Sequence, residues 1–203
     1  MSHLLLYSMI KHHPGMIATE VRYQYEKQGH TLFSSGDYNL NIFGIRACDR
    51  RSDKFNDLLG CLYKIDHRWN LKVWPITTDP GLDYRHTFYP GAEGTAILAP
   101  GQYRKAYKLG KHKGMYDALV QVKPVRVFRD DNKDDHLDYE NEESGMFGIN
   151  IHRAHSDKIV DSVGKYSAGC QVFASPYDYK EFISLCKLSA SRYGTTFTYT
   201  LLG

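Results

Sequence analysis

The chain has 203 residues and a mass of 23.3 kDa, with 42% apolar and 24% charged residues, which are the proportions of a globular protein and not of a disordered or coiled-coil chain. Its formal net charge of +3 arises from scattered basic residues and does not indicate nucleic-acid binding. The longest apolar run, Leu4–Ile10, is too short to cross a bilayer and lacks a small-residue cleavage site. We therefore expect no membrane insertion, no signal peptide and synthesis in the cytoplasm.

Residues 1–37 are predicted to form an N-terminal extension to one globular domain at residues 38–203. In the extension, apolar residues from Ile17 to Lys27 have the spacing of a short amphipathic helix that ends at Gly29. From Tyr38 onward the pattern becomes strand-like, and the 16 tyrosines of the chain favour the half-buried surfaces of sheets. The sequence thus predicts a mainly β (α+β) fold.

Two pairs of apolar runs predict hairpins. Leu58–Ile65 and Trp69–Thr77 flank a short polar linker, which is the pattern of antiparallel strands joined by a tight turn. Thr95–Leu98 is followed by Pro100 and Gly101 and then by another strand-forming run, which predicts a second hairpin.

Two further runs predict strands in the second half of the chain. Ala118–Phe128 has the apolar character of one long strand, but Pro124 lies inside it. Because proline cannot donate a ladder hydrogen bond, we predict an edge or bulged strand there. Met146–His152 predicts another strand.

One helix is clearly marked near the C-terminus. Ser175 is a suitable N-cap, Pro176 fits the first helical position, and apolar residues then recur with helical spacing. We predict that this principal helix covers Ser175–Tyr193, closes at Gly194 and precedes a strand at Thr195–Leu202.

The four cysteines fall into two groups. In a chain of this length without a predicted signal peptide, reduced and buried thiols are expected more often than disulfides. We therefore predict that Cys48, Cys61 and Cys186 are core residues. Cys170 has a different setting, because it follows the small-residue sequence Ser167-Ala168-Gly169.

His152 and Cys170 have the residue types of a base and a nucleophile. His152 ends a predicted strand, and 14 residues separate it from Ser167, which opens the turn before Cys170. The thiolate is the attacking form of cysteine, and a nearby imidazole lowers the pKa of the thiol. Gly169 lets a substrate carbonyl approach the backbone, where N–H groups stabilise an oxyanion.

This arrangement resembles the catalytic motif of the L,D-transpeptidase (YkuD-like) family, in which His and a spacer of similar length precede Ser/Thr-His-Gly-Cys. Four residues coincide with the motif: His152, Ser167, Gly169 and Cys170. Residues 38–202 also resemble phage-encoded and gut-bacterial proteins of that superfamily. The resemblance implies a curved β-sandwich or barrel with one principal helix near the C-terminus, and cysteine attack on the stem peptides of peptidoglycan.

The resemblance also implies a role for each motif residue. Cys170 is then the nucleophile and His152 the base, while Ser167 orients the histidine. The backbone at Gly169 and Cys170 forms the oxyanion hole. No cofactor is required by this chemistry.

The sequence departs from the family motif at two positions. Ala168 stands where the family has histidine, and Val172 stands where Asn or Arg is common. We expect Gln171 to supply a polar contact to the substrate. Arg153 follows the base directly and is expected to bind a stem-peptide carboxylate, because its planar guanidinium suits bidentate recognition.

The leading interpretation is therefore a peptidoglycan L,D-peptidase or L,D-transpeptidase that cleaves rather than cross-links. With no signal peptide predicted, it would reach the cell wall after lysis or as a component of a virion. One alternative is a phage virion structural protein that binds other virion proteins and keeps the fold with an idle or secondary site. Another is a cysteine peptidase with substrates outside the wall.

A second constellation predicts a structural calcium site. Asp130, Asn132 and Asp134 alternate along an acidic segment, with Asp138 at the ninth position from Asp130. Calcium prefers about six to eight oxygen ligands, and alternate residues of a tight loop point their oxygens inward. A solvated acidic hairpin tip explains the same residues without a metal.

Overall fold

The computed structural model describes residues 14–51, 53–87 and 90–202, and strands form much of its regular structure. The apolar run Leu4–Ile10 lies outside these residues. In chain order the strands are β1 (Asn41–Ile45), β2 (Asp57–Ile65), β3 (Arg68–Thr77), β4 (Thr95–Leu98), β5 (Gly101–His112), β6 (Tyr116–Gln121), β7 (Val125–Asp130), β8 (Glu143–Gly145), β9 (Ile151–Arg153), β10 (Gln171–Phe173) and β11 (Thr196–Leu202). The predicted mainly β class is confirmed.

Most strands belong to one closed barrel. Their order around it is β1-β11-β5-β6-β9-β10-β3-β2, and β4, β7 and β8 form a separate three-stranded sheet. The helices of the described residues are α1 (Pro14–Lys27), α2 (Leu82–Thr87) and α3 (Pro176–Tyr193). None of these described helices has the length and apolar character needed to cross a membrane.

The predicted hairpin of β2 and β3 is confirmed. Its turn consists of Asp66 and His67, both with positive φ (49° and 63°), which is the backbone of a type I′ turn. This turn follows the right-handed twist of the flanking strands, so the pairing runs without a break from Ile65 and Arg68 to Asp57 and Ile76.

The C-terminal helix forms as its end signals predict. The Ser175 hydroxyl accepts a hydrogen bond from the Asp178 N–H at 3.2 Å, and the helix ends before Gly194, which has φ 86°. Phe182 of α3 stacks on Phe173 of β10, with the ring centroids 5.2 Å apart. This contact anchors α3 to a barrel strand next to Cys170.

Helix α1 packs against the outside of the β1–β2 ribbon. Its buried side chains Ile17, Val21 and Tyr25 contact Phe43 and Leu62. The neighbouring strand residues face the main core instead, since side chains alternate along a strand. The described part of the predicted extension is thus packed onto the barrel.

The predicted second hairpin is wrong, because β4 and β5 lie in different sheets. β4 pairs with β7, whereas β5 pairs with β6 and β11. The chain changes sheets at Pro100 and Gly101, where Gly101 has φ 147°. Such a value is accessible to glycine and strained for other residues.

The run Ala118–Phe128 also forms two strands in two sheets and not one bulged strand. β6 ends at Gln121 in the barrel, and β7 begins after Pro124 in the separate sheet. The Gln121 side chain satisfies the backbone at this break. Its amide nitrogen donates to the carbonyls of Lys123 and Gly145, each at 2.9 Å.

Gln121 also explains why the predicted strand at Met146–His152 is short. Its amide oxygen accepts from the backbone N–H groups of Phe147 (3.2 Å) and Ile149 (2.9 Å). These N–H groups are therefore bound to a side chain, and the ladder of β9 starts at Ile151.

The cysteine prediction is confirmed for two of its three members. Cys61 and Cys186 are buried and free, but Cys48 is free and exposed. Cys48 lies beyond the end of β1, in the polar loop that leads to β2. Because this loop lies at the surface, the Cys48 side chain has no hydrophobic core to pack against.

Candidate active site

The parallel pairing of β9 with β10 brings the predicted nucleophile and base to one face. Gln171 pairs with Ile151, Val172 pairs with His152, and the Gln171 N–H donates to the Asn150 carbonyl at 2.9 Å. Because side chains alternate along a strand, Cys170 lies on the same face as Val172 and its partner His152, two residues along the chain from Val172.

This face forms a wall of a cleft with a volume of about 700 Å³. Its polar lining includes His112, Tyr116, Asn150, His152, Arg153 and Cys170. Lys113, Arg129 and Lys165 also line the cleft, and its described lining residues include no Asp or Glu. Arg129 is paired with Glu143. The cleft is therefore suited to a molecule that carries negative charge.

The backbone fixes the tautomer of His152. Its Nδ1 lies 2.9 Å from the Arg153 carbonyl, which also accepts from the Tyr116 hydroxyl at 3.2 Å. A carbonyl is only an acceptor, so Nδ1 carries the proton and Nε2 has the lone pair. Nε2 takes part in no hydrogen bond of the described residues, and it is not one of their buried polar atoms that lack a partner. Since His152 lines the cleft, Nε2 is open to it.

His152 is a neutral base in this setting. Its burial is the main reason that its pKa is lowered to about 3, and the neighbouring His112 lowers it further. The Arg153 carbonyl is therefore the group that orients His152. The prediction that Ser167 orients His152 is wrong, because the Ser167 hydroxyl has other partners.

Cys170 is held as a neutral thiol. Its Sγ lies 3.4 Å from the Gly148 carbonyl, to which it donates, and 3.4 Å from the Asn150 N–H, which donates to it. Burial raises the pKa of Cys170 to about 11, and the Asn150 N–H offsets only part of this rise.

The expected lowering of the Cys170 pKa by His152 is therefore wrong. An imidazole that is itself neutral supplies no positive charge to stabilise a thiolate. The hydrogen bonds of the described residues do not join Cys170 Sγ to the His152 imidazole. Both groups line the same cleft.

Ser167 and Gly169 build the turn before the nucleophile. The Ser167 hydroxyl donates to the Cys170 carbonyl at 2.9 Å and accepts from the Gly169 N–H at 3.1 Å. The Gly169 N–H is thus already used, which contradicts its predicted role in an oxyanion hole. The Cys170 N–H takes part in no hydrogen bond of the described residues.

Replacing Gly169 with alanine should destabilise the protein by about 3 kcal/mol or more. Gly169 has φ 125°, and a Cβ there would lie 1.9 Å from the Ala96 carbonyl oxygen. The matched control is Gly114→Ala, since Gly114 has φ 74° with open space around it. The control should cost about 1 kcal/mol. Chemical denaturation measures both, and equal losses would contradict the steric argument.

The two predicted substrate-binding residues have different outcomes. Gln171 is fully buried, and its side-chain oxygen accepts from the Tyr199 hydroxyl at 2.9 Å. It faces the barrel interior because it alternates with Cys170, so its predicted contact with the substrate is wrong. Arg153 lines the cleft, with its guanidinium 4.5 Å from the centre of the Tyr116 ring. Its predicted role as a carboxylate ligand stays a prediction.

Three polar cleft residues were not found from the sequence. His112 ends β5, Tyr116 begins β6, and Asn150 precedes β9. They meet through sheet pairing between segments distant in the chain, for which the local sequence has no signal. The sequence could have indicated Asn150, because it lies two residues before His152. Side chains two residues apart on a strand lie on the same face.

The four predicted calcium ligands do not point to one centre. The Asp130 carboxylate is fully buried beside Arg85, with Oδ2 3.4 Å from Nε. At the surface, the Asn132 amide donates to Asp138 at 2.7 Å, and the Asn132 oxygen accepts from the Asp134 N–H at 3.0 Å. The described residues hold no group of three or more His, Cys, Asp or Glu side chains arranged for a metal. Calcium binding by this loop stays a prediction.

Comparisons of the chain with protein-family models, with curated proteins and with solved structures gave no match. The function is therefore inferred from the residues of the cleft and from the motif resemblance.

Proposed function

We propose that this protein is a cysteine peptidase of the L,D-transpeptidase type that acts on peptidoglycan stem peptides. The observation that carries the proposal is the placement of Cys170 and His152 on one face of a cleft, with the lone pair of His152 Nε2 open to it. The motif resemblance supplies the substrate class.

The proposed reaction begins with transfer of the thiol proton. His152 Nε2 takes the proton from Cys170 Sγ while the sulfur attacks the carbonyl carbon of the scissile amide. The π pair of that carbonyl moves onto its oxygen, which the Cys170 N–H stabilises. The C–N bond then breaks, His152 protonates the departing amine, and a thioester remains. Water releases the shortened stem peptide and restores the thiol.

The charge of the cleft supports an acidic substrate. Lys113, Arg153 and Lys165 line it together with Cys170, and stem peptides carry free carboxylates. An Arg–carboxylate hydrogen bond is stronger than a neutral one and also fixes orientation. The barrel with one principal C-terminal helix is compatible with the fold that the resemblance implies, and the assignment to that particular fold is part of the proposal.

The test is digestion of purified sacculi, with the released fragments identified by mass spectrometry. Wild-type protein should release stem peptides cut after the L-centre of the third residue, and Cys170→Ala should release none. Thermal melting of both proteins serves as the folding control, because this substitution should change stability little. Intact sacculi after incubation with folded wild type would contradict the proposal. They would then favour the virion structural protein, which a particle proteome detects.

A further inference from the structure

A second histidine lies against the proposed base. The rings of His112 and His152 are stacked, with their centroids 4.1 Å apart and an interplanar angle of 22°. His112 is buried near the end of β5 and lines the same cleft as Cys170. His112 has no role in the reaction described above.

The hydrogen bonds of Asn150 determine the tautomer of His112. The Asn150 side-chain oxygen accepts from the Gln121 N–H at 2.9 Å, which identifies the other end of the amide as its nitrogen. That nitrogen lies 3.3 Å from His112 Nδ1. An amide nitrogen is a donor, so Nδ1 of His112 accepts and the ring proton is on Nε2. Burial lowers the pKa of His112, which favours this neutral form.

The Nε2–H of His112 is available to a bound molecule. It takes part in no hydrogen bond of the described residues, and it is not one of their buried polar atoms that lack a partner. Since His112 lines the cleft, this N–H is open to it. The two stacked rings therefore offer opposite groups side by side. His152 offers a lone pair, and His112 offers an N–H donor.

The proposed reaction needs such a donor. Oxyanion holes generally hold the developing charge with more than one donor, and removing one donor costs about a hundredfold or more in rate. Here the Gly169 N–H is already bound to the Ser167 hydroxyl. The Asn150 backbone N–H contacts Cys170 Sγ, and the Asn150 side chain contacts His112 Nδ1. Asn150 therefore positions both the sulfur and the histidine that carries the donor.

We propose that His112 is a catalytic residue whose Nε2–H, together with the Cys170 N–H, forms the oxyanion hole. This inference rests on the proposed function. When Sγ of Cys170 bonds to the carbonyl carbon, the displaced π pair resides on the oxygen and is stabilised by these two donors. The same donors release the oxygen when the carbonyl reforms and the leaving group departs.

The test compares two reactions of the same thiol. 4-Nitrophenyl acetate acylates Cys170 through an oxyanion and releases nitrophenolate, whereas iodoacetamide alkylates it by direct displacement without an oxyanion. His112→Phe keeps a ring against His152 but lacks the donor. It should slow acylation about a hundredfold and leave alkylation within about twofold of wild type. Cys170→Ala gives the background from the other cysteines.

A second variant keeps the test independent of folding defects. His112→Gln retains a side-chain N–H donor and should recover part of the acylation rate that His112→Phe loses, and thermal melting reports the folding of both. Equal slowing of acylation and alkylation would show that His112 acts through packing, which overturns the inference. Acylation of His112→Phe at the wild-type rate also overturns it and leaves the proposed function intact. If wild-type Cys170 is not acylated, both fail. If acylation is normal and sacculi stay intact, only the proposed substrate fails.

Discussion

At pH 7, iodoacetamide should alkylate Cys170 about a hundredfold more slowly than an unperturbed thiol. The thiolate is the reacting species, and burial raises the pKa of Cys170 from its ordinary 9.0 to about 11. His152 does not reverse this effect, because its pKa is lowered to about 3 and the ring is neutral at pH 7. The reaction rate should therefore increase with pH until it levels off near the thiol pKa.

The same chain provides the reference for this measurement. Cys48 is exposed, so its alkylation rate is recorded in the same sample by mass spectrometry of the two labelled peptides. The ratio of Cys170 to Cys48 labelling is measured between about pH 6 and pH 10. Equal labelling of the two cysteines at neutral pH would contradict the neutral-thiol description.

A neutral thiol beside a neutral imidazole determines how the proposed reaction proceeds. A preformed thiolate–imidazolium pair would attack first and transfer the proton later. Here the proton must leave Sγ as the C–S bond forms, so His152 Nε2 must be within reach of the sulfur at that moment. The Arg153 carbonyl and the Tyr116 hydroxyl, which hold the other side of that ring, therefore become part of the catalytic geometry.

The sequence predicted those parts of the fold that depend on short-range interactions. The Asp66–His67 turn and the cap at Ser175 are determined by neighbouring residues, and both form as expected. The pairing at Thr95–Leu98 was wrong because an apolar run indicates a strand and not the sheet that it joins. The prediction of one edge or bulged strand around Pro124 was wrong, because the residues after Pro124 enter another sheet through contacts distant in the chain.

The candidate site divides in the same way. His152 and Cys170 were found from a local motif, whereas His112 reaches them from β5 through long-range pairing. Gln171 was misplaced although alternation alone puts it opposite Cys170. The Cys170 pKa could not be predicted, because it depends on burial, which the order of residues does not give directly.

Replacing Arg85 with methionine should destabilise the protein by about 3–5 kcal/mol at pH 8. Arg85 and Asp130 are both fully buried, and among the described residues neither side chain has a hydrogen bond, so the ion pair is their described polar contact. Removing the guanidinium would leave a buried carboxylate with no opposite charge. The loss should be smaller at pH 5. Burial raises the pKa of Asp130 to about 6 even beside Arg85, and without Arg85 it rises further, so the variant's carboxyl is neutral at pH 5.

Two controls separate this buried pair from ordinary surface charge. Lys72→Met removes the cation from the exposed pair with Glu181 (2.8 Å) and should cost less than about 1 kcal/mol. The double variant Arg85→Met, Asp130→Leu removes both buried charges, so it should recover much of the stability lost in Arg85→Met. Urea denaturation at the two pH values measures all three variants.

A loss in Arg85→Met that matches Lys72→Met, or that does not change with pH, would show that Asp130 is already neutral in the wild type. The buried pair would then hold α2 against β7 by packing and not by charge.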